Sequence, residues 1–398
     1  MIQIAESDLD RLTEASYRIL RGEKPPLFEL PADYPANEFR QFVEYFNRLI
    51  GEYTLFADFM YAMARGELDY SPPASKMRVV QSFKSLQANL RHLTWKTQQI
   101  AAGDLSQRVD FMGDFSAAFN EMTRQLQQAF ADLNAEKARS EQLLLRVTDS
   151  IRYAQRIQSA LLPAPAAFAA AQVDHFSLWL PRDIVGGDIY CVETCPAGVL
   201  VALLDCTGHG VPGALMSMLA VAGLRRLIQD EACYAPAQLL QGMNEWIKTT
   251  LRQETSESPS DDGLDAAICL LQPDAGELTF AGAHLPLYRM HEGELQIVRG
   301  DRPSLGYKRS RTETQFASHT LALEPGAVFY LCSDGLVDQP GGDRGLPFGR
   351  AGFAGVLKEV WDRPLAVQRE RIERAFFAHA GEDERRDDVT VLGWRARL

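Results

Sequence analysis

Residues 199–220 read VLVALLDCTGHGVPGALMSMLA, and their character changes halfway. Val199–Asp205 is an unbroken apolar, β-prone run that ends in a single aspartate, which is the pattern of a buried strand. Cys206-Thr207-Gly208-His209-Gly210 is a glycine-punctuated turn, and a helical pattern begins at Pro212. Working outward, further short β-prone runs fill the C-terminal half: HFSLWL, AAICLLQ, ELTFAGA, LPLYRM, LQIVRG, VFYLCSD and VTVLGW. Helical segments are expected at about 212–230, 236–252, 352–361 and 365–379. Many strands in one block with helices between them predict an α+β layered domain. No G-x-x-x-x-G-K-[ST] or G-x-G-x-x-G loop is present, so nucleotide-dependent phosphoryl transfer lacks its usual cradle.

Aspartates recur at the strand–loop junctions. Asp188 sits in VGGDIY, behind two glycines, and Asp205 closes VLVALLD. Asp334 closes VFYLCSD, and Asp387-Asp388 precede VTVLGW. A sheet can bring such ends together from distant segments. Converging carboxylates repel strongly in a low-dielectric site unless cations bind between them. Hard divalent ions with oxygen ligands, Mg²⁺ or Mn²⁺, are the natural candidates. Singly each aspartate is weak evidence, because Asp334-Gly335 alone is ordinary turn chemistry.

The N-terminal half is of another kind. Prolines at 25, 26, 31 and 35 break the first helical stretch. From Asn37, apolar and aromatic residues recur at three- and four-residue intervals to about Arg65, where Gly66 supplies a stop. Ala64-Arg65-Gly66-Glu67-Leu68 is echoed by Ala101-Ala102-Gly103-Asp104-Leu105. Each copy precedes another amphipathic helix. A long helical run at 117–162 then carries a heptad seam at 119, 123, 126, 130, 133, 137, 140, 144, 147, 151, 154, 158 and 161, and nine of these 13 positions are apolar. A parallel two-stranded coiled coil is the expectation, weakened by Thr123, Lys137, Ser140 and Gln158. Pro163 ends the helix, and the Ala-rich joint LLPAPAAFAAAQ follows.

Composition sets the outer bounds. The 398 residues suggest two or three domains at roughly 100–200 residues each. With 46% hydrophobic and 24% charged residues the chain is not wholly disordered. Its net charge of −12 argues against broad nucleic-acid binding. No uninterrupted apolar stretch of about 18 residues and no basic-then-apolar start is present, so neither a membrane span nor a secretory signal is expected. The six cysteines lack paired zinc-type spacing and are expected as reduced thiols of a cytoplasmic protein.

Two resemblances rest on these motifs. QIAAGDLSQRVDFMGDFSAAFNEMTRQL (99–126), with GELDYSPPASKMRVVQSFKSLQANLRHL (66–93) as a looser copy, resembles the HAMP signalling module over roughly residues 60–128. VGGDIY, LLDCTGHGVPGALMSMLA, FAGAHLPLYRM, LCSDGLVDQPGG and RRDDVTVL, in this order, resemble the PPM (PP2C-like) protein phosphatases of the SpoIIE type over about 148–398. The preceding SIRYAQRIQSALLP looks like the helical switch segment found before such domains. The expected organisation is a helical region at 1–65, a HAMP-like module at 66–128, a coiled-coil linker at 129–165 and the phosphatase domain at 166–398. The implied fold is two stacked antiparallel β-sheets flanked by helices, an αββα sandwich.

The resemblance implies a metal-dependent protein serine/threonine phosphatase in bacterial signalling. Its implied cofactors are two Mn²⁺ or Mg²⁺ ions per site, with Asp205 bridging both. Asp334 and Asp387 would complete one shell; Asp188 and the Cys206 backbone carbonyl would serve the other. Arg182 is a candidate phosphate-binding residue, although its spacing departs from the eukaryotic pattern. Asp262 and Asp265 are candidates for a third, loosely held metal. His209 lies four residues after Asp205 rather than two, so its role stays open between loop-shaping and general acid. A phosphorylated STAS-domain protein is the implied substrate, and a homodimer through 117–162 the expected assembly. The alternative is a catalytically silent STAS-binding scaffold dimerised by the coiled coil.

Overall fold

The computed structural model describes residues 4–164, 167–168, 173–255, 258, 260–342 and 344–397. The chain forms two compact units, Met1–Glu141 and Gln142–Leu398. The expected boundary at 165/166, with Pro165, lies outside the described residues.

The first unit is helical among the described residues: α1 (Glu6–Leu20), α2 (Glu38–Ala64), α3 (Arg78–Ala101) and the first turns of α4 (Asp114–Leu161). Asn37 caps α2 as its side chain accepts the Arg40 N–H at 3.1 Å. The two sequence echoes are two copies of one turn. After α2, the Gly66 N–H donates to the Met63 carbonyl and the Glu67 N–H to that of Ala62; after α3, Gly103 donates to Ile100 and Asp104 to Gln99. Gly66 and Gly103 have φ of +82° and +101°, a helix-ending conformation that glycine adopts without Cβ strain. Asn120 fastens the following connector by bonding both the N–H and the carbonyl of Val109.

The second unit stacks two five-stranded antiparallel sheets. One has the order β1 (Val173–Leu180), β12 (Val389–Ala396), β9 (Val328–Cys332), β6 (Leu287–His291), β7 (Glu294–Val298). The other has the order β2 (Ile189–Cys195), β3 (Gly198–Cys206), β4 (Leu264–Gln272), β5 (Glu277–Ala283), β8 (His319–Ala322). A two-stranded ribbon, β10 (Pro340–Gly341) with β11 (Leu346–Pro347), stands apart. Helices α5 (Gly210–Gln229) and α6 (Pro236–Thr250) cover the outer face of the second sheet. After the short α7 (Asp334–Asp338), α8 (Gly349–Val360) and α9 (Leu365–Ala380) cover that of the first.

Period-two alternation explains why the strands are apolar throughout. Leu200, Ala202 and Leu204 of β3 pack under α5 and α6, while Val199, Val201 and Leu203 face the other sheet. In β12, Leu392 and Trp394 point between the sheets, and Val389 and Val391 point to the helices. Strands buried on both faces read as continuous apolar runs. Helix α5 is long and apolar enough to cross a membrane by length and composition, but more than half of it is buried inside this domain. All six cysteines are free thiols.

Along the expected heptad seam, Phe119 and Thr123 are buried in the first unit and Gln158 is wholly buried in the second, while the seam positions from Leu126 to Val147 are exposed.

Candidate active site

The antiparallel registers bring the junction aspartates to one end of the sandwich. Asp205, at the end of β3, lies directly opposite Asp265 of β4. The Asp334 N–H, just past β9, donates to Asp205 Oδ2 at 3.3 Å. Asp387 and Asp388 immediately precede β12, the neighbour of β9. Asp188 precedes β2 and is 2% exposed; Thr390 Oγ1 of β12 donates to its carboxylate at 2.7 Å.

Close backbone packing sets the position of Asp188. A Cβ on Gly187 would lie 2.7 Å from the Cys206 carbonyl oxygen and would overlap that of Gly208. Only glycine lets the VGGD loop lie flat on the turn after β3. Asp388 pins this loop from the other side, accepting the Gly187 N–H at 2.5 Å and the Arg182 N–H at 2.6 Å. The last turns of α4 reach it too. Buried Gln158 donates to the Gly186 carbonyl at 2.6 Å and to Ser217 Oγ of α5 at 2.9 Å, and it accepts the Gly186 N–H. A side chain of α4 is thus bonded two residues from Asp188.

Electrostatically the site is under-compensated. Burial pushes the Asp188 carboxyl up to about 8, with repulsion from Asp388 adding to it and hydrogen bonds from Ser333 and Thr390 offsetting part. Asp205 is raised well above the carboxylate range, first by burial and then by Asp188 and Asp334. Asp334 is pushed up to about 6 by burial and then by Asp387 and Asp338. Hard oxygen donors that repel one another in a buried site are the donor set that Mg²⁺ or Mn²⁺ satisfies. Among the described residues no three acidic, His or Cys side chains already meet at ligating spacing.

Other predicted residues take more varied positions. Cys206 is buried, and burial drives its thiol far above the range of a reactive thiolate, which leaves its backbone carbonyl as the useful group. Arg182 is exposed and hydrogen-bonds the Arg386 carbonyl at 2.9 Å, next to Asp387. Asp265 joins the site, with one carboxylate oxygen 2.5 Å from His284 Nδ1. Asp262 is held only through its backbone, by Gln253. His209 precedes α5 and pairs with Asp183 at 2.8 Å, tying the VGGD-side loop to the helix. Sequence reasoning missed Asp183, Thr390 and the pinning role of Asp388. The doubled Asp387-Asp388 was the available signal for the last.

The sequence model of the Stage II sporulation protein E (SpoIIE) family matches residues 196–397. Among solved structures, the chain is similar to the SiaA-PP2C domain of Pseudomonas aeruginosa, with 35% identity and a TM-score of 0.57 over 64% of this chain and 98% of that one. It is also similar to the Bacillus subtilis SpoIIE phosphatase domain with its regulatory fragment: 17% identity, TM-score 0.44, 56% of this chain and 62% of that one. The RsbU and RsbW domains of a Mycobacterium tuberculosis protein align at 20% identity and a TM-score of 0.44, over 57% of this chain and 61% of that one. No curated protein matches. A family match over half the chain, and a structural relative above 30% identity covered almost end to end, agree with the two-sheet sandwich described above: this chain belongs to the SpoIIE family of PPM-type (PP2C-like) serine/threonine phosphatases.

Proposed function

We propose that the chain hydrolyses phosphoserine or phosphothreonine on a partner protein with two divalent cations, Mg²⁺ or Mn²⁺, held among the strand-end aspartates. The observation that carries this reading is the gathering of Asp188, Asp205 and Asp334 at one end of the sandwich, each carboxyl raised first by burial and then by a neighbouring aspartate: Asp188 by Asp388, Asp205 by Asp188 and Asp334, and Asp334 by Asp387. Asp205, between Asp188 and Asp334, would be the ligand shared by both cations; Asp334 and Asp387 would hold one, and Asp188 with the Cys206 carbonyl would hold the other. Bound there, the cations activate a water for in-line attack and neutralise charge on the phosphoryl oxygens. Thr390 and the Asp388-pinned loop hold Asp188 in place. Arg182 stands at the rim to engage phosphate. Asp265, opposite Asp205, and Asp262 are the carboxylates we assign to a third, looser cation.

The test is phosphate release by the full chain from a small aryl phosphate and a phosphothreonine peptide, with Mn²⁺ or Mg²⁺ against EDTA. Turnover that requires the metal supports the reading. Undiminished turnover in EDTA would overturn it.

On the family resemblance we propose a phosphorylated STAS-domain protein as the substrate, and control by the helical, HAMP-like N-terminal region through the linker. The Gln158–Gly186 bonds supply a contact through which α4 can act on the Asp188 loop. A homodimer through the helix at 117–162 is supported in its middle, where Leu126, Phe130, Leu133, Leu144 and Val147 are all exposed on one heptad seam. Sedimentation at micromolar concentration is expected to give a dimer, and Leu133→Glu with Leu144→Glu a monomer. A wild-type monomer would remove the proposed assembly.

A further inference from the structure

Beside Asp334 a cleft of about 150 Å³ opens between the β5–β6 turn and the start of α8, walled by His284, Tyr288, Cys332, Asp338 and Arg350 among others. It has room for a short polar side chain. Tyr288, on β6, is wholly buried, yet its hydroxyl has no oxygen or nitrogen partner among the described residues; its polar neighbour is the Cys332 thiol. A hydroxyl left so costs free energy unless something reaches it. Burial raises the phenol's ionisation far above neutrality, so it stays a hydrogen-bond donor. Phe353 packs edge-on against the ring, with centroids 5.2 Å apart, and fixes its plane.

Arg350 supplies charge to the same space. It stands in the first turn of α8, exposed, and pairs with no carboxylate among the described residues. Its positive charge is felt by both the Tyr288 phenol and the Cys332 thiol. Helix α8 starts without a side-chain cap, which leaves its first N–H groups free to favour an anion. Of the two acids in the walls, Asp334 belongs to the carboxylate centre, and Asp338 is exposed to water.

We infer that this cleft is a specificity subsite for the carboxylate of an acidic residue flanking the phosphorylated one, with Arg350 as its ion-pair partner and the Tyr288 hydroxyl as a second donor. The inference rests on the reading of the Asp205–Asp334 centre as the reaction site. It assigns Arg350 and Tyr288 to recognition of the substrate chain and leaves the transferred phosphoryl group to the aspartate centre.

The test uses the full chain with Mn²⁺ and an alanine-based phosphothreonine peptide carrying one Glu at each position from three before to three after the phosphothreonine. At one position kcat/KM is expected to exceed that of the matching Ala peptide by about tenfold. That Glu-to-Ala ratio is read within each variant, so a general loss of activity cancels. Arg350→Ala should bring it to about one, Arg350→Glu should transfer the preference to a Lys peptide, and Tyr288→Phe should lower it a few-fold. Equal rates across the series in the wild type, or a ratio that survives Arg350→Ala, would overturn the subsite. A chain inactive on both peptide and aryl phosphate speaks against the metal-centre reading. In that case anisotropy of the labelled peptides in EDTA decides the subsite, because Arg350-dependent binding of the Glu peptide needs no turnover.

Discussion

Asp205→Asn will cost the chain on the order of 10³-fold or more in phosphate release and will make the metal-free protein more stable. The two effects have one cause. Asp205 is held among Asp188, Asp334 and Asp265 with its carboxyl raised well above the usual range by burial and repulsion. In the metal-free protein that arrangement is a net cost, and an amide of the same shape removes it while still accepting the Asp334 N–H. In the working enzyme the same carboxylate is the proposed bridge between two cations, and its loss affects both. Steady-state kinetics in Mn²⁺ and thermal unfolding in EDTA read the two halves separately. Lost activity with an unchanged or lower unfolding temperature would mean that Asp205 supports the fold. Retained activity would remove it from the centre.

Much of the fold was legible because both faces of most strands are covered. Runs such as VLVALL (199–204) and VFYLC (328–332) stay apolar at every position and stand out against their turns. Strand β2 was not, since it starts inside the VGGDIY motif and carries Glu193 and Thr194 before it closes on Cys195. Strand β8 is a four-residue edge in which only Leu321 is buried. At the site, an Asp-Asp pair does not say which carboxylate faces which way, because adjacent residues at the start of a strand point to opposite sides. Asp388 therefore emerged only with the structure, as the group that pins Gly187. On heptad spacing alone Gln158 is a weak point of a coiled coil. Heptad spacing cannot tell a position reserved for a partner helix from one used by the chain's own domain, and here Gly186 and Ser217 use it. The carboxylates themselves were legible from their shared place at strand ends, which is a property of chain order and needs no distances.

Metal-free protein is expected to lose stability as pH rises from about 5 to 8, and saturating Mn²⁺ or Mg²⁺ to restore it, most of all at the upper end. Asp188 carries the sign. Its carboxyl is raised from 3.8 in the free state to about 8 in the fold. Between those values the folded chain holds a proton that the unfolded chain has released, so each rise in pH favours unfolding. The loss begins near the free value and is complete only above the folded one. At about 1.4 kcal/mol per unit, a single such group accounts for several kcal/mol by pH 7. For a domain of this size that is an unfolding temperature lower by roughly 10 °C. Asp334, raised to about 6, acts in the same direction over a narrower window. Cations reverse the trend because they bind the deprotonated carboxylates, which the unfolded chain does not gather. Asp188→Asn should flatten the slope in EDTA and weaken the rescue. A metal-free chain whose stability is flat or rises between pH 5 and 8 would mean that these carboxylates are already compensated, and the case for cations between them would lose its electrostatic basis.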